Sequence, residues 1–206
     1  MRAPIAVDLA VRSATLVSMV GETVHTLTDD ILKLLLSWRE RQRAMRGDDR
    51  LDELFQRLQA LPLAGNAYEI EDEIWETWIA GNEPLAERIM NDAIAAIAQK
   101  RYADAEDCLN RLIAVQPEWA EAWNKRATLY FLQGRECESL SDVRRTLELE
   151  PRHFGAISGF AQICIRNGDH RSAIITMNAA LQINPHLLAL RAALQSMQNE
   201  GRGMVH

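Results

Sequence analysis

Three prolines at a constant interval constrain this chain more than any other feature of its sequence. Pro117, Pro151 and Pro185 are separated by 34 residues each. An apolar-rich segment precedes each proline, and because proline cannot continue a helix and disfavours one at the residue before it, each proline marks a helix end. A fixed internal period in this range is typical of a solenoid, in which similar units stack along one axis. The interval therefore predicts a repeat array from about Ala86 to Pro185.

Each repeat is predicted to contain two helices joined by a tight turn. Gly134 and Gly168 lie midway between the prolines, where the chain must reverse, and Lys100 occupies the equivalent place in the first repeat. Asp169 follows Gly168 and is suited to cap the next helix. The units are therefore predicted to be helical hairpins.

Bulky and small residues alternate within the hairpins in a consistent way. The first helix of the second repeat carries Trp123, Ala127 and Tyr130. Small residues let helices approach each other closely, and large ones fill the space between them. This pattern resembles the tetratricopeptide repeat (TPR) family, and segments 120–127 and 150–154 resemble those of small bacterial TPR proteins. The other copies are Ile89, Ala93 and Ala96, and Ile157, Ala161 and Cys164, on first helices; Ala105, Leu109 and Leu112, and Ala173, Met177 and Ala180, on second helices; and the divergent Ser139, Val143 and Thr146.

The resemblance implies an all-α fold, a TPR-type helical-hairpin solenoid. We assign three regular repeats to residues 85–185 and a degenerate capping hairpin in front of them to residues 48–84, because terminal repeats are usually atypical. An apolar stripe predicts a C-terminal capping helix over residues 186–198, followed by a flexible tail over residues 199–206. Residues 1–47 form an N-terminal extension with one apolar helix.

The extension permits more than one interpretation. Capping and acidic residues at positions 28–30 predict a helix start, and residues 31–38 are too apolar to remain in water. We favour a helix docked on the array with the following arginines in solvent. Self-association or attachment to a membrane surface through this helix is the alternative. Asp8 and Arg12 interrupt the earlier apolar stretch, which argues against a bilayer span, and a targeting segment over residues 1–30 stays open.

Composition and motifs exclude several classes of function. The net charge of −6 argues against nucleic acid as the main partner. The three cysteines stand singly on predicted helices and the five histidines are scattered, so we predict no metal site and no cofactor. No phosphate-binding loop or nucleophile motif is present, and we therefore predict no catalytic residues and no enzyme activity. An odd number of cysteines suits a reducing compartment, so a cytoplasmic location is expected, with export or membrane association through the N-terminal segment as the alternative.

By resemblance, the first helix of each repeat lines a concave groove that binds a protein or peptide segment. We therefore predict an adaptor, with a homodimer left open. One departure is informative: the lysine, arginine and asparagine positions of chaperone-tail-binding TPR domains hold mostly apolar residues and glycine here, which argues against a carboxylate clamp. The predicted groove residues are Asn91, Ile94, Asn124, Lys125, Thr128, Phe131, Ser158, Gly159, Gln162 and Arg166, and the same pattern also selects Met90, Ile97, Leu132, Gly155 and Ile165.

Two further features of the repeats have structural explanations. Gly155 and Gly159 lie on one helix face, either because a neighbouring helix packs closely there or because a partner backbone approaches. Arg126 stands where the family usually has leucine, and Asp142 is its predicted ion-pair partner.

Overall fold

The computed structural model describes residues 5–44, 49–80 and 83–203, and side chains within residues 21–43, 49–80 and 83–199. Predictions about residues 1–4, 45–48, 81–82 and 204–206 lie outside the described residues. Every regular element in these ranges is an α-helix. The helices are α1 (Ile5–Leu36), α2 (Trp38–Ala44), α3 (Asp49–Ala60), α4 (Tyr68–Ile79), α5 (Pro84–Ala98), α6 (Tyr102–Val115), α7 (Ala120–Leu132), α8 (Glu136–Leu149), α9 (Phe154–Arg166), α10 (His170–Ile183) and α11 (Leu188–Gly203).

Three of the predicted hairpins are confirmed as α5–α6, α7–α8 and α9–α10. The residue at the centre of each turn has a positive φ: 58° at Lys100, 73° at Gly134 and 72° at Gly168. Beyond the turn, a backbone amide bonds a carbonyl in the preceding helix, as between Arg101 and Ala96 at 2.8 Å. This bond satisfies a carbonyl that the helix end would leave free. Lys100 is therefore equivalent to the two glycines in conformation, although it carries a Cβ.

The predicted small and large positions form the core of the array. The divergent second repeat satisfies its polar side chains locally: the Ser139 hydroxyl donates to the carbonyl of Ala127 at 2.9 Å, and the Thr146 hydroxyl donates to the carbonyl of Asp142 at 2.8 Å. These bonds let two hydroxyls take places where the family has small or apolar residues. The predicted apolar core residues that are at most 3% exposed are Ala93, Ala96, Ala105, Leu109, Leu112, Ala127, Val143, Ile157, Ala161, Cys164, Ala173, Met177 and Ala180.

The N-terminal helix begins much earlier than the sequence predicts. A start near Thr28 is wrong, because α1 runs without a break from Ile5 to Leu36. A capping residue marks a helix start only if the chain before it is not helical. Here no proline prevents the preceding residues from being helical. Within the helix, the Thr26 hydroxyl donates to the carbonyl of Glu22 four residues earlier, at 2.9 Å.

The apolar face of this helix is docked on the repeats, as favoured. Ile31, Leu35 and Trp38 are 0%, 2% and 6% exposed and share a core with residues of α8 and α10. The prediction that the following arginines lie in solvent is wrong for Arg41, because its guanidinium donates to the carbonyls of Leu147 at 2.9 Å and of Glu148 at 2.8 Å, at the C-terminal end of α8. Because this chain covers the three side chains, they are no longer available for self-association or membrane contact. In the described ranges, no helix combines the length and the apolarity that crossing a bilayer would require.

The α3–α4 hairpin lies beside the array. Asn184 donates to Glu71 at 2.6 Å, and His186 Nε2 lies 3.2 Å from the carbonyl oxygen of Leu58. Arg152 forms an ion pair with Asp52. These partners belong to the turns after the second and third repeats, so the hairpin does not take the position of a leading repeat that the sequence predicts.

The two ends of the array differ. At the C-terminal end, Leu194 of α11 is buried against Met177 and Ala161 and closes the last hairpin, as expected of a capping helix. This helix extends to Gly203, five residues beyond the predicted boundary at residue 198. At the other end, Leu85 and Val115 of the first hairpin remain 62% and 71% exposed.

Candidate functional site

A cavity of about 180 Å³ opens between α7 and α9, the first helices of the second and third repeats. Val143 of α8, Phe131 of α7 and Ile163 of α9 form the apolar part of its wall. None of the twelve residues that line it carries an ionisable side chain. Six of the ten predicted groove residues meet there: Asn124, Thr128, Phe131, Ser158, Gly159 and Gln162.

The other four predicted residues lie outside the cavity wall. Lys125 forms an ion pair with Glu121 at 2.7 Å. The Arg166 guanidinium lies 4.4 Å from the centroid of the Phe131 ring and 3.3 Å from Glu136, so it borders the cavity next to Phe131. Asn91 and Ile94 belong to α5 and do not line this cavity. Among the further positions that the pattern selects, Met90 is fully buried, so its side chain belongs to the core and cannot line a groove.

The two glycines of α9 have different surroundings. A Cβ on Gly155 would lie 2.5 Å from Cη2 of Trp75, whereas a Cβ on Gly159 would meet nothing within 4 Å. Close packing therefore accounts for Gly155. At Gly159 the absence of a side chain leaves the cavity floor open, in keeping with the second explanation considered from the sequence.

A buried polar network supports the cavity from behind. Glu121 is completely buried, and its carboxylate contacts His153 Nε2 at 2.9 Å, Asn124 Nδ2 at 2.9 Å and Lys125 Nζ at 2.7 Å. Burial alone would raise the pKa of Glu121, but the hydrogen bond and the electrostatic interaction with His153, together with the charge and hydrogen bond of Lys125, outweigh it and lower the pKa below its ordinary value. Glu121 is therefore an ionised acceptor inside the protein.

His153 is held in one tautomer. Its Nδ1 accepts a hydrogen bond from the backbone N–H of Ala156 at 3.1 Å, which caps the start of α9. Nδ1 therefore carries no hydrogen, and the proton lies on Nε2, which donates to Glu121. The ring also stacks on Trp78, with centroids 4.1 Å apart and planes at 10°.

The network also orients Asn124 at the cavity wall. An ionised carboxylate only accepts hydrogen bonds, so the amide nitrogen of Asn124 must face Glu121 and the amide oxygen must face the other way. Among the described residues, none donates a hydrogen bond to this oxygen. Asn124 is thus a cavity-lining residue whose amide oxygen has no donor within the described part of the chain.

The sequence did not reveal which residues the two tryptophans of α4 contact. Trp78 is buried, as expected of a core residue, but Trp75 is only partly buried. Its ring packs against the start of α9 at Gly155, and its centroid lies 5.3 Å from Lys125 Nζ. Glu121 and His153 are 32 residues apart, close to one repeat period, so adjacent repeats bring them together. Nothing in the single sequence shows that this acid is buried.

The predicted pairing of Arg126 with Asp142 is confirmed. Arg126 Nε lies 2.7 Å from one carboxylate oxygen and its terminal nitrogen 2.9 Å from the other, which is a bidentate contact. Arg126 also lies 4.9 Å from the centroid of the Trp123 ring. The pair joins α7 to α8 within one hairpin and lies apart from the cavity, so its role is structural.

Burial raises the pKa of the Cys164 thiol to about 12, so this cysteine is a thiol and a core residue at neutral pH. No cluster of three or more metal-binding side chains occurs within the described ranges. What the site can do is bind: it combines an apolar recess, hydroxyl and amide groups and one oriented acceptor.

Comparison with known proteins fits this architecture. Models of the tetratricopeptide repeat match residues 91–142 and residues 158–187. A TPR repeat-containing protein of Rhizobium etli is 38% identical over 136 residues, which is 66% of this chain and 67% of the relative. The chain belongs to the tetratricopeptide repeat family. TPR repeats generally mediate protein–protein interaction, and TPR proteins are generally scaffolds without enzyme activity.

A second relative is more distant. The anaphase-promoting complex subunit 7 of Dictyostelium discoideum is 30% identical over 82 residues, which is 40% of this chain. The matched part is only 14% of that protein.

Proposed function

We propose that this chain is a non-enzymatic adaptor that binds a segment of a partner protein in the groove between α7 and α9. The observation that carries the proposal is the uncharged cavity of about 180 Å³, which gathers six predicted groove residues. A site of this kind suits one apolar side chain of the partner, with polar groups around it to bind the adjacent backbone. The name of the Dictyostelium relative, a subunit of a complex, is in keeping with a role in protein assembly.

The chemistry of the wall specifies the partner segment further. A charged side chain would lose its hydration in the recess without meeting an opposite charge, which is costly. An apolar side chain would displace water from Phe131, Val143 and Ile163 and gain contacts. The amide oxygen of Asn124 would accept one backbone N–H of the same segment. We therefore expect a motif with an uncharged apolar anchor, flanked by at least one residue that carries a backbone amide hydrogen.

The test is a selection of phage-displayed peptides on the full chain. Enriched peptides should share an apolar anchor and should bind the wild type but not Gly159→Leu, in which a side chain enters the open cavity floor. Ala103→Leu on α6 is the matched control, because Ala103 is exposed and lies outside the cavity. Equal binding to both variants, or an anchor that is charged, would contradict the proposal.

Lys125 is not a suitable test position. Lys125→Glu would place a second carboxylate beside the buried Glu121, so a loss of binding could come from unfolding. Gly159→Leu avoids this problem, because the added side chain enters open space.

A further inference from the structure

The first hairpin of the array carries an apolar surface that the described residues of the chain leave exposed. A cavity of about 450 Å³ lies between the start of α5 and the end of α6. Leu85 and Val115 flank it and are 62% and 71% exposed, and the half-buried Ile89 and the buried Leu112 form its floor. In a helical array such a face is normally covered by the next hairpin. We call this surface, formed by the lining residues of α5 and α6, the end face.

Two charged residues border the end face without a partner of their own. Glu83, next to the start of α5, and Arg111, on α6, both line the cavity and are exposed. Within the described residues, neither forms an ion pair or a hydrogen bond through its side chain. The lining therefore has one negative and one positive group, and its net charge is zero although the whole chain carries −6.

We propose that the end face binds the same face of a second copy of this chain, as a two-fold symmetric dimer. With the two-fold axis parallel to the helices, α5 of one copy lies against α6 of the other, and each surface residue i that meets j is matched by j meeting i. Glu83 of each copy then meets an arginine at position 111 of the other, and the apolar side chains around Leu85 and Val115 meet at the centre.

The size of the face sets the strength of the dimer. The 15 residues of α5 span about 22 Å, and two adjacent helices are about 20 Å wide. This footprint is smaller than the roughly 800 Å² per partner of a standard stable interface. The dimer should therefore be weak, and the chain should pass from monomer to dimer between about 1 and 200 μM.

Sedimentation equilibrium of the full chain over that range tests the proposal. The wild type should move from the mass of one chain, 23.3 kDa, towards twice that value as the concentration rises. Val115→Lys should stay monomeric, and Leu188→Glu should behave as the wild type because Leu188 is equally exposed, at 66%, but lies at the start of α11. Circular dichroism checks that both variants are folded. A wild type that is monomeric at 200 μM, or a dimer that survives Val115→Lys, would overturn the proposal.

A charge-reversal experiment tests the two-fold geometry itself. Glu83→Arg alone gives two arginine–arginine contacts in a dimer, and Arg111→Glu alone gives two carboxylate–carboxylate contacts. Each variant should dimerise at least several-fold more weakly than the wild type, whereas an equal mixture of the two should recover dimerisation, because both contacts are then complementary. Failure of the mixture to recover it would overturn the two-fold arrangement. Peptide binding at the groove is measured separately and is not affected by this result.

Discussion

The two glycines of α9 provide an experiment in which each position is the control for the other. Both are replaced by alanine, which adds one methyl group. At Gly159 the methyl group meets nothing within 4 Å, whereas at Gly155 it lies 2.5 Å from Cη2 and 3.2 Å from Cζ2 of Trp75. The same chemical change should therefore have opposite effects on the free energy of unfolding.

The magnitudes follow from helix propensity and packing. Gly159 is inside α9, where alanine is more stable than glycine by about 1 kcal/mol. Gly155 is the second residue of α9, so propensity contributes less there, and forcing a contact into a packed site costs about 1–3 kcal/mol. Trp75 cannot easily move aside, because its ring makes edge contacts with Trp78 at 5.2 Å and with Phe154 at 5.4 Å. We expect Gly155→Ala to destabilise the protein by about 1–2 kcal/mol.

Thermal unfolding followed by circular dichroism measures both changes. For a chain of this size, 1 kcal/mol shifts the Tm by about 2–4 °C, so Gly159→Ala should raise the Tm and Gly155→Ala should lower it. Adding Gly155→Ala to Trp75→Phe should cost much less, because the smaller ring leaves room for the methyl group. The coupling between the two positions should be about 1 kcal/mol or more. Equal Tm values for the two alanine variants, or no coupling with Trp75→Phe, would refute the close contact between the hairpin and α9.

Three further predictions concern stability. Arg126→Ala should lower the free energy of unfolding by about 3 kcal/mol, because Asp142 is 3% exposed and would lose its bidentate partner. Urea unfolding measures this change, and an Arg126→Ala, Asp142→Ala double variant that is no more stable than the Arg126→Ala variant would contradict it. Lys100→Gly should raise the urea midpoint by an amount that corresponds to about 1 kcal/mol, because a residue with a Cβ has a φ of 58° there; an unchanged or lower midpoint would argue against that strain. The lowered pKa of Glu121 contributes stability that is fully present above its ordinary pKa of 4.5 and is lost as the pH falls through the lower folded value. The stability advantage of the wild type over Glu121→Gln should therefore shrink below about pH 4.5, and a constant difference from pH 3 to 7 would disprove this role.

The helical array was predictable because its signals are local. Proline ends a helix wherever it occurs, and a central turn residue with positive φ reverses the chain in each hairpin. The N-terminal helix was harder for a physical reason. A threonine and two aspartates at positions 28–30 can cap a helix or lie inside one, and what precedes them decides which applies. The sequence alone therefore predicted a helix there but placed its start 23 residues too late.

The groove is an intermediate case. The resemblance to the TPR family implies that the first helix of each hairpin lines the groove, and six of the ten predicted residues do meet in one cavity. The period carries no information about where a groove is open or closed. Trp75 packs against Gly155 at one end of it from a hairpin that the repeat pattern places elsewhere, and Lys125 is held by a buried acid.

By itself, the sequence determined the class of fold, the number of regular repeats, the small and large core positions and the pairing of Arg126 with Asp142. These follow from periodicity and from the need to pair a charge inside a hairpin. Only the tertiary structure decided where α3 and α4 lie, which glycine faces a neighbour and which faces open space, and that Glu121, His153 and Asn124 form one buried network. Such contacts join residues distant in the chain, and a linear pattern does not specify them because many packings satisfy the same apolar periodicity. The exposed end face is a consequence of where α3 and α4 lie, because a hairpin that lies beside the array leaves the first repeat uncovered.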